Sequence, residues 1–167
     1  MDESRTPVDD GFFMPAEWEP HERCWMQWPS RSEVWNDRLP QVHAAYAQVA
    51  RAIAPFEPVS MVCRPEEETE ARLACGRDVE LVALLIDDSW ARDTGPIFVT
   101  DGKGRVAGTH WRFNGWGNTY HNYENDAAVG GLILDRLGLK SYSGNMVLEG
   151  GAISADGYGT LLTTEEC

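Results

Sequence analysis

Eleven consecutive residues, Ile86-Asp87-Asp88-Ser89-Trp90-Ala91-Arg92-Asp93-Thr94-Gly95-Pro96, hold three carboxylates, a guanidinium, an indole and a Gly-Pro turn. They follow Val79 to Leu85, an apolar run that reads as a buried strand. Solvated loops carry acids freely, but seldom with a tryptophan among them directly behind such a strand. A carboxylate in a partly dry pocket can hold a guanidinium through two parallel charge-assisted hydrogen bonds. An indole can cover the flat face of the same cation. Asp93 and Trp90 are the candidates for those two tasks. The same residue types also allow plainer roles, with Asp93 capping the Thr94-Gly95-Pro96 turn and Trp90 filling a core. Arg92 can pair with Asp87 or Asp88.

A second acid narrows the chemistry. Glu149 stands in Val147-Leu148-Glu149-Gly150-Gly151, at the end of a short strand. Two glycines let a backbone or a ligand approach closely. A glutamate there can act as a general acid and base or as a second guanidinium clamp, or it can be an edge carboxylate of a hairpin. Trp111-Arg112-Phe113-Asn114-Gly115-Trp116-Gly117-Asn118 is a third cluster. Aromatics supply rigid apolar walls and amides fix orientation, as in a pocket lining, although aromatics packed over a sheet look the same.

Asp87 and Asp88 could join Asp93 around a divalent metal. A hard cation takes about six or more oxygens, usually from a loop built for it. The histidines His21, His43, His110 and His121 show no close ligand spacing. A metal is therefore not expected from these residues. His43 falls in a predicted helix but off its apolar stripe, which predicts a solvated or edge position.

The composition sets the ligand class. The chain has 167 residues and a formal net charge of -13. Such a charge argues against nucleic acid, whose phosphates need Lys and Arg partners, and draws small cations. Hydrophobic residues make up 43%, enough for a real core rather than a disordered chain. The tryptophans are expected to be mainly core mass. Cys24, Cys63, Cys75 and Cys167 show no C-x-x-C pairing, and no apolar leader precedes them. Free thiols in a reducing cytoplasm are the expectation. No apolar run reaches the roughly eighteen residues that a membrane helix needs.

The elements that must position these residues alternate between strand and helix. Residues 1–11 read as a mobile N-terminus and 12–167 as one domain. Phe12 to His21 reads as an extended segment lying over a core. Strands are predicted at Cys24–Trp28, Val59–Cys63, Val79–Leu85, Ile97–Thr100, Val106–His110, Met146–Leu148, Ala152–Ala155 and Gly159–Thr163. A helix from Asn36 or Asp37 carries the stripe Leu39, Val42, Tyr46, Val49 and Ile53. Glu66–Ala74 forms a second helix. A third starts at Asn122 or Asn125, buries Val129, Leu132, Ile133 and Leu137, and stops at Gly138. Thr163-Thr164-Glu165-Glu166 reads as the start of a further element that the chain does not complete. The class is α+β, and no G-x-G-x-x-G opens a helix.

Several of these segments together resemble one family. Gly11-Phe12-Phe13-Met14-Pro15-Ala16-Glu17-Trp18-Glu19-Pro20-His21 is similar to the opening of the agmatine deiminases, in the bacterial peptidylarginine deiminase-like group of the pentein superfamily. Asp87 to Pro96 resembles their central motif. Phe113-Asn114-Gly115-Trp116-Gly117, Leu148-Glu149-Gly150-Gly151 and Gly159 to Cys167 match in the same order. The resemblance implies an incomplete pentein fold, about the first half of a propeller-like ring of ββαβ modules. It implies hydrolysis of a guanidine C–N bond through a covalent cysteine adduct, without a cofactor. Asp93 matches the guanidinium-binding aspartate. Glu149 matches the glutamate that binds the guanidinium and assists proton transfer. Trp90 matches a pocket tryptophan, with Asp87, Asp88, Asn114 and Trp116 as further substrate-binding candidates.

The family's catalytic histidine, in a G-H-x-D motif, and its nucleophilic cysteine, behind a glycine-rich stretch, have no counterpart here. The isolated chain is thus expected to be inactive, and a missing C-terminal half is expected to close the fold. The implied partner is a small cationic guanidine. A homo-oligomer is compatible with this reading. A peptidylarginine deiminase-like enzyme and a non-catalytic guanidinium-binding fragment are the alternatives.

Overall fold

The computed structural model describes residues 5–165. Cys167 and the first four residues, part of the expected mobile N-terminus, lie outside the described residues. The chain divides into two compact units: Pro20–Ala91, and the residues before Pro20 together with those from Arg92 onward.

The Pro20–Ala91 unit is a parallel sheet with helical crossovers. Strands β1 (Cys24–Gln27), β2 (Val59–Cys63) and β3 (Val79–Ala83) lie in that order, with Cys24 opposite Val59 and Val59 opposite Val79. A one-turn helix α1 (Ser32–Trp35) and α2 (Leu39–Ile53) join β1 to β2, and α3 (Glu68–Cys75) joins β2 to β3. Every residue of the central strand β2 is buried, as its near-continuous apolar sequence requires. Trp28, Ala47, Ala50, Met61, Ala71 and Val79 fill the core.

Helix α2 corrects the expected stripe. Its buried residues are His43, Ala47 and Ala50, while Val49 is 49% exposed. Small side chains on that face fit a close approach of helix to sheet, and the larger apolar residues are displaced to its flanks. His43 is buried rather than solvated. Its ring stacks on Trp28 at 4.4 Å, with Nε2 2.7 Å from the Pro29 carbonyl and Nδ1 2.9 Å from Glu70. The tryptophans are also less central than expected: Trp28 is fully buried, Trp18 is 72% exposed, and the others are intermediate.

The one-turn helix α4 (Ala91–Thr94) supplies the first residues of the other unit's second segment, from Arg92 onward. That unit's main sheet has the order β4 (Ile97–Thr100), β5 (Val106–Arg112), β6 (Lys140–Val147). Strands β4 and β5 are antiparallel, β5 and β6 parallel. A turn, α5 (Gly115–Asn118), and a long helix, α6 (Glu124–Leu137), connect β5 to β6. Gly138 ends α6 in the left-handed conformation, as its position suggested. The helix buries Val129 and Ile133 as expected, but Gly130 and Leu134 in place of Leu132 and Leu137. Gly108 explains that choice: a Cβ on it would lie 2.3 Å from Leu134, so the missing side chain makes room for the helix. A hairpin of β7 (Ile153–Ala155) and β8 (Leu161–Thr163) follows. Strand β6 was predicted only at its last two residues, because its polar positions hide the run.

Phe12 is buried with Val99, Ala107 and Tyr142, and Phe13 bridges to Thr100, so this segment does lie over a core. Pro7–Asp10 forms a 3-10 turn. Asp10 gathers Arg5 at 2.5 Å, the Tyr142 hydroxyl at 2.6 Å and Lys140. The Lys140 ammonium, then Tyr142 and Arg5, hold its carboxyl well below the usual range. Arg105, with help from the Lys103 N–H, brings Asp101 down to about 2. A carboxyl depressed by folding adds stability that is complete above its unfolded value and is lost as pH falls through the folded one. Asp10→Asn is therefore expected to lower Tm at pH 7. The gap to the parent chain should narrow as pH falls from about 4 toward 2. Thermal melts across that range check it, and a gap independent of pH would contradict the assigned role of Asp10.

Candidate active site

The acid-rich run splits between structural and open roles. Within the Pro20–Ala91 unit Asp88 is fully buried. It accepts the Ser30 N–H at 2.9 Å and the Trp35 indole N–H at 3.0 Å. Arg64 donates to the carbonyls of Ile86 and Asp87 at 2.8 and 2.7 Å. Trp90 stacks on Trp35 with ring centres 6.0 Å apart. The run is thus clamped by Arg64, Ser30 and Trp35, none of which its own sequence indicates. Arg92, expected to pair with Asp87 or Asp88, instead pairs with Glu17.

Asp93, Glu149, Asn114 and Trp116 all belong to the other unit. The Gly151 N–H donates to Asp93 Oδ1 at 3.1 Å, so the turn carrying Asp93 and the segment carrying Glu149 are joined directly. Both glycines are sterically required. A Cβ on Gly150 would sit 2.4 Å from the Arg92 carbonyl oxygen, and one on Gly151 would sit 2.3 Å from Asp93 Oδ1. Glu149 is 4% exposed, and its Oε1 is buried without a hydrogen-bond partner. A buried carboxylate oxygen left in that state is costly unless a cation or donor reaches it. A cavity opens beside this junction, lined by Asp93, Thr94, Ile97, Trp111, Phe113 and Leu148, with Gly150 at its edge. Its volume of about 10 Å³ is room for a single water, walled by one carboxylate and two aromatic rings.

Helix α6 and strand β5 fix that wall. Gly130 lies against the Thr94 carbonyl, where a Cβ would come within 3.0 Å, and His110 bonds the Ala127 carbonyl at 2.9 Å. Trp111 lies over Gly144 and donates from its indole to Thr109 Oγ1 at 2.8 Å. Asn114 turns its side chain to the Gly117 N–H at 2.8 Å and caps α5. Trp116 has a positive φ of 52°, and its ring meets Phe113 and Tyr120 edge-on. Trp111 and Phe113 reach the cavity, and Gly144 is the signal in the sequence that accompanies Trp111.

None of the described thiols is poised to attack. Burial, with Glu68 and Glu67 nearby, pushes Cys63 up to about 11. Burial raises Cys75, and burial together with Glu57 raises Cys24.

Residues 13–167 match the family described as Porphyromonas-type peptidyl-arginine deiminase. The agmatine deiminase of Pseudomonas aeruginosa (strain LESB58) is 48% identical over 170 residues, covering 97% of this chain and 46% of that protein. That of Ectopseudomonas mendocina is 46% identical over 168 residues, with 97% and 46% covered. The solved agmatine deiminase of Enterococcus faecalis superposes with a TM-score of 0.91 at 37% identity, over 96% of this chain and 45% of that one. The chain spans about half the length of the relatives it matches. Its architecture is that of the pentein-type deiminases. The chain belongs to the Porphyromonas-type peptidyl-arginine deiminase family, alongside the agmatine deiminases.

Two outcomes follow from this geometry. Gly150→Ala is expected to destabilise the chain by about 1–3 kcal/mol, as overpacking does, because a backbone oxygen cannot step aside. Gly151→Ala should cost less, since the obstacle is the end of the Asp93 side chain. Urea midpoints of the two variants rank them, and the reverse order would refute the account. Iodoacetamide at pH 7 should alkylate Cys63 and Cys75 slowly in the native chain and quickly in denaturant, read by peptide mass.

Proposed function

We propose that this chain is the substrate-holding part of an agmatine deiminase, which converts agmatine and water to N-carbamoylputrescine and ammonia. The observation that carries the reading is the buried, unpartnered Oε1 of Glu149 on a segment hydrogen-bonded to Asp93. A guanidinium satisfies such oxygens better than an ammonium, because its planar N–H fork matches a carboxylate in two bonds.

In this reading Asp93 holds the guanidinium nitrogens and keeps the central carbon in place. Glu149 bonds the same group and moves a proton to the departing nitrogen. A thiolate attacks the guanidinium carbon, ammonia leaves, and water then cleaves the thiouronium adduct. The raised Cys24, Cys63 and Cys75 are unsuited to that attack. The reading assigns both the nucleophile and the proton-carrying histidine to sequence outside these 167 residues. Asp87 and Asp88 are assigned to shaping the loop rather than to the substrate's distal ammonium, given the partners of Asp88. Agmatine carries no carboxylate, and the net charge of -13 favours such a dication.

A peptidyl-arginine substrate is the second reading, favoured by the description of the family itself. A chimera separates them, with these 167 residues replacing the matching segment of the Pseudomonas aeruginosa relative. Ammonia release from agmatine is expected of the chimera and not of the isolated chain. Glu149→Gln in the chimera is expected to lower kcat about 10²- to 10⁴-fold. Asp93→Asn should lower kcat/KM by about 10²-fold or more. Turnover by the isolated chain, or a chimera that prefers an arginyl peptide, overturns the reading.

A further inference from the structure

We propose that His21, Cys24 and Glu57 form a binding site for a borderline divalent metal ion of the Zn(II) type. All three belong to the Pro20–Ala91 unit, and none has a part in the proposed guanidine chemistry. Their ligand atoms, an imidazole nitrogen, a thiol sulfur and a carboxylate oxygen, all lie within 4.8 Å of one another.

Parallel-sheet register brings the site together. Cys24 opens β1, and its N–H donates to the Pro58 carbonyl at 2.9 Å. That bond sets Cys24 beside Glu57, whose own N–H is held by the Ile53 carbonyl at the end of α2. The Cys24 thiol donates to Glu57 Oε1 at 3.3 Å. His21, three residues ahead of Cys24, places Nδ1 2.7 Å from Glu57 Oε2. That oxygen is buried and takes no hydrogen bond, so the close approach of His21 lies off the donor axis. The thiol bonds one oxygen of Glu57 and the imidazole stands at ion-pair distance from the other, so three potential ligand atoms surround one centre. Arg23, the neighbouring cation, is turned away onto Ser60 at 2.7 Å and Glu80 at 2.5 Å.

The donor set selects the ion. Sulfur and imidazole suit Zn(II) or Co(II) and not Ca(II) or Mg(II), which want oxygens. Tetrahedral bonds of about 2.0–2.3 Å put ligand atoms roughly 3.3–3.8 Å apart. The cysteine and glutamate already meet that spacing, and the exposed His21 ring needs only a small retreat. Three protein ligands leave the fourth position for water. On binding, the Cys24 thiol releases its proton to solvent and its sulfur bonds the metal, with no change of oxidation state. The ion would tie the segment ahead of β1 to the end of α2. The expectation of no metal rested on the acidic run, on histidine spacing and on the lack of C-x-x-C pairs, and the H-x-x-C pair needs a glutamate from a neighbouring strand connection to become a site.

Cobalt titration of the 167-residue chain tests this. One equivalent of Co(II) is expected to give a sulfur-to-cobalt charge-transfer band and the intense visible bands of a tetrahedral site. Zn(II) should abolish both. Cys24→Ser should remove the charge-transfer band, whereas Cys63→Ser should leave it. His21→Gln and Glu57→Gln should each weaken binding about 10-fold or more. His21 is exposed, so its variant keeps the test decisive if Cys24→Ser disturbs β1. Absence of the charge-transfer band, its survival in Cys24→Ser, or unchanged affinity in folded His21→Gln would overturn the site.

Discussion

One hydrogen bond organises the candidate active site: Gly151 N–H to Asp93 Oδ1. It joins two segments more than fifty residues apart and requires that neither Gly150 nor Gly151 carry a side chain. Glycine costs conformational entropy on folding. The arrangement accepts that cost twice in succession, and the return is contact between a loop backbone and a carboxylate. With the junction made, Glu149 is carried inward and Gly150 closes over the Arg92 carbonyl. Helix α6 reinforces the same place through Gly130 against Thr94. The wall is thus built from glycines at three close approaches and from two aromatic rings between them.

The three aspartates of the acidic run show how one residue type serves different ends. Asp88 is buried yet accommodated, because a backbone N–H and an indole N–H reach it. Arg64 serves the same loop through the carbonyls of Ile86 and Asp87. Asp93 keeps an oxygen for a backbone donor and lines a cavity. Burial alone therefore does not mark a binding group. What separates Asp88 from Glu149 is satisfaction, since one buried acid has donors in place and the other keeps an orphaned oxygen.

Much of this was legible in the residues. Proline and glycine punctuation located α2 and the end of α6, and the apolar run of β2 announced a strand. Glu149-Gly150-Gly151 signalled a close approach before its partner was known. Other features resisted for physical reasons. Periodicity ranks residues by hydrophobicity, but α2 sits so near its sheet that alanines and His43 take the inner face. Strand β6 alternates polar side chains on a surface strand, so its pattern resembles a loop. The clamps on the acidic run come from Ser30, Trp35 and Arg64, and contacts of such sequence separation leave no local trace. His21, Cys24 and Glu57 met the same obstacle, because their proximity arises from the register of β1 and β2.

Cys63 is pushed up to about 11 by burial and by Glu68 and Glu67, and Cys24 rises with burial and Glu57. A thiol brought beside Asp93 and Glu149 would meet the same penalty, since nearby negative charge disfavours the thiolate. A bound guanidinium reverses the sign: it neutralises the carboxylates and presents positive charge to the sulfur. In the proposed reading the two acids therefore do more than hold the substrate. In that reading they would disfavour the thiolate of an attacking cysteine while the pocket is empty, and a bound guanidinium would offset them. The attacking group and the carboxylates can then be supplied by separate parts of one protein, because the substrate itself is the charge that couples them.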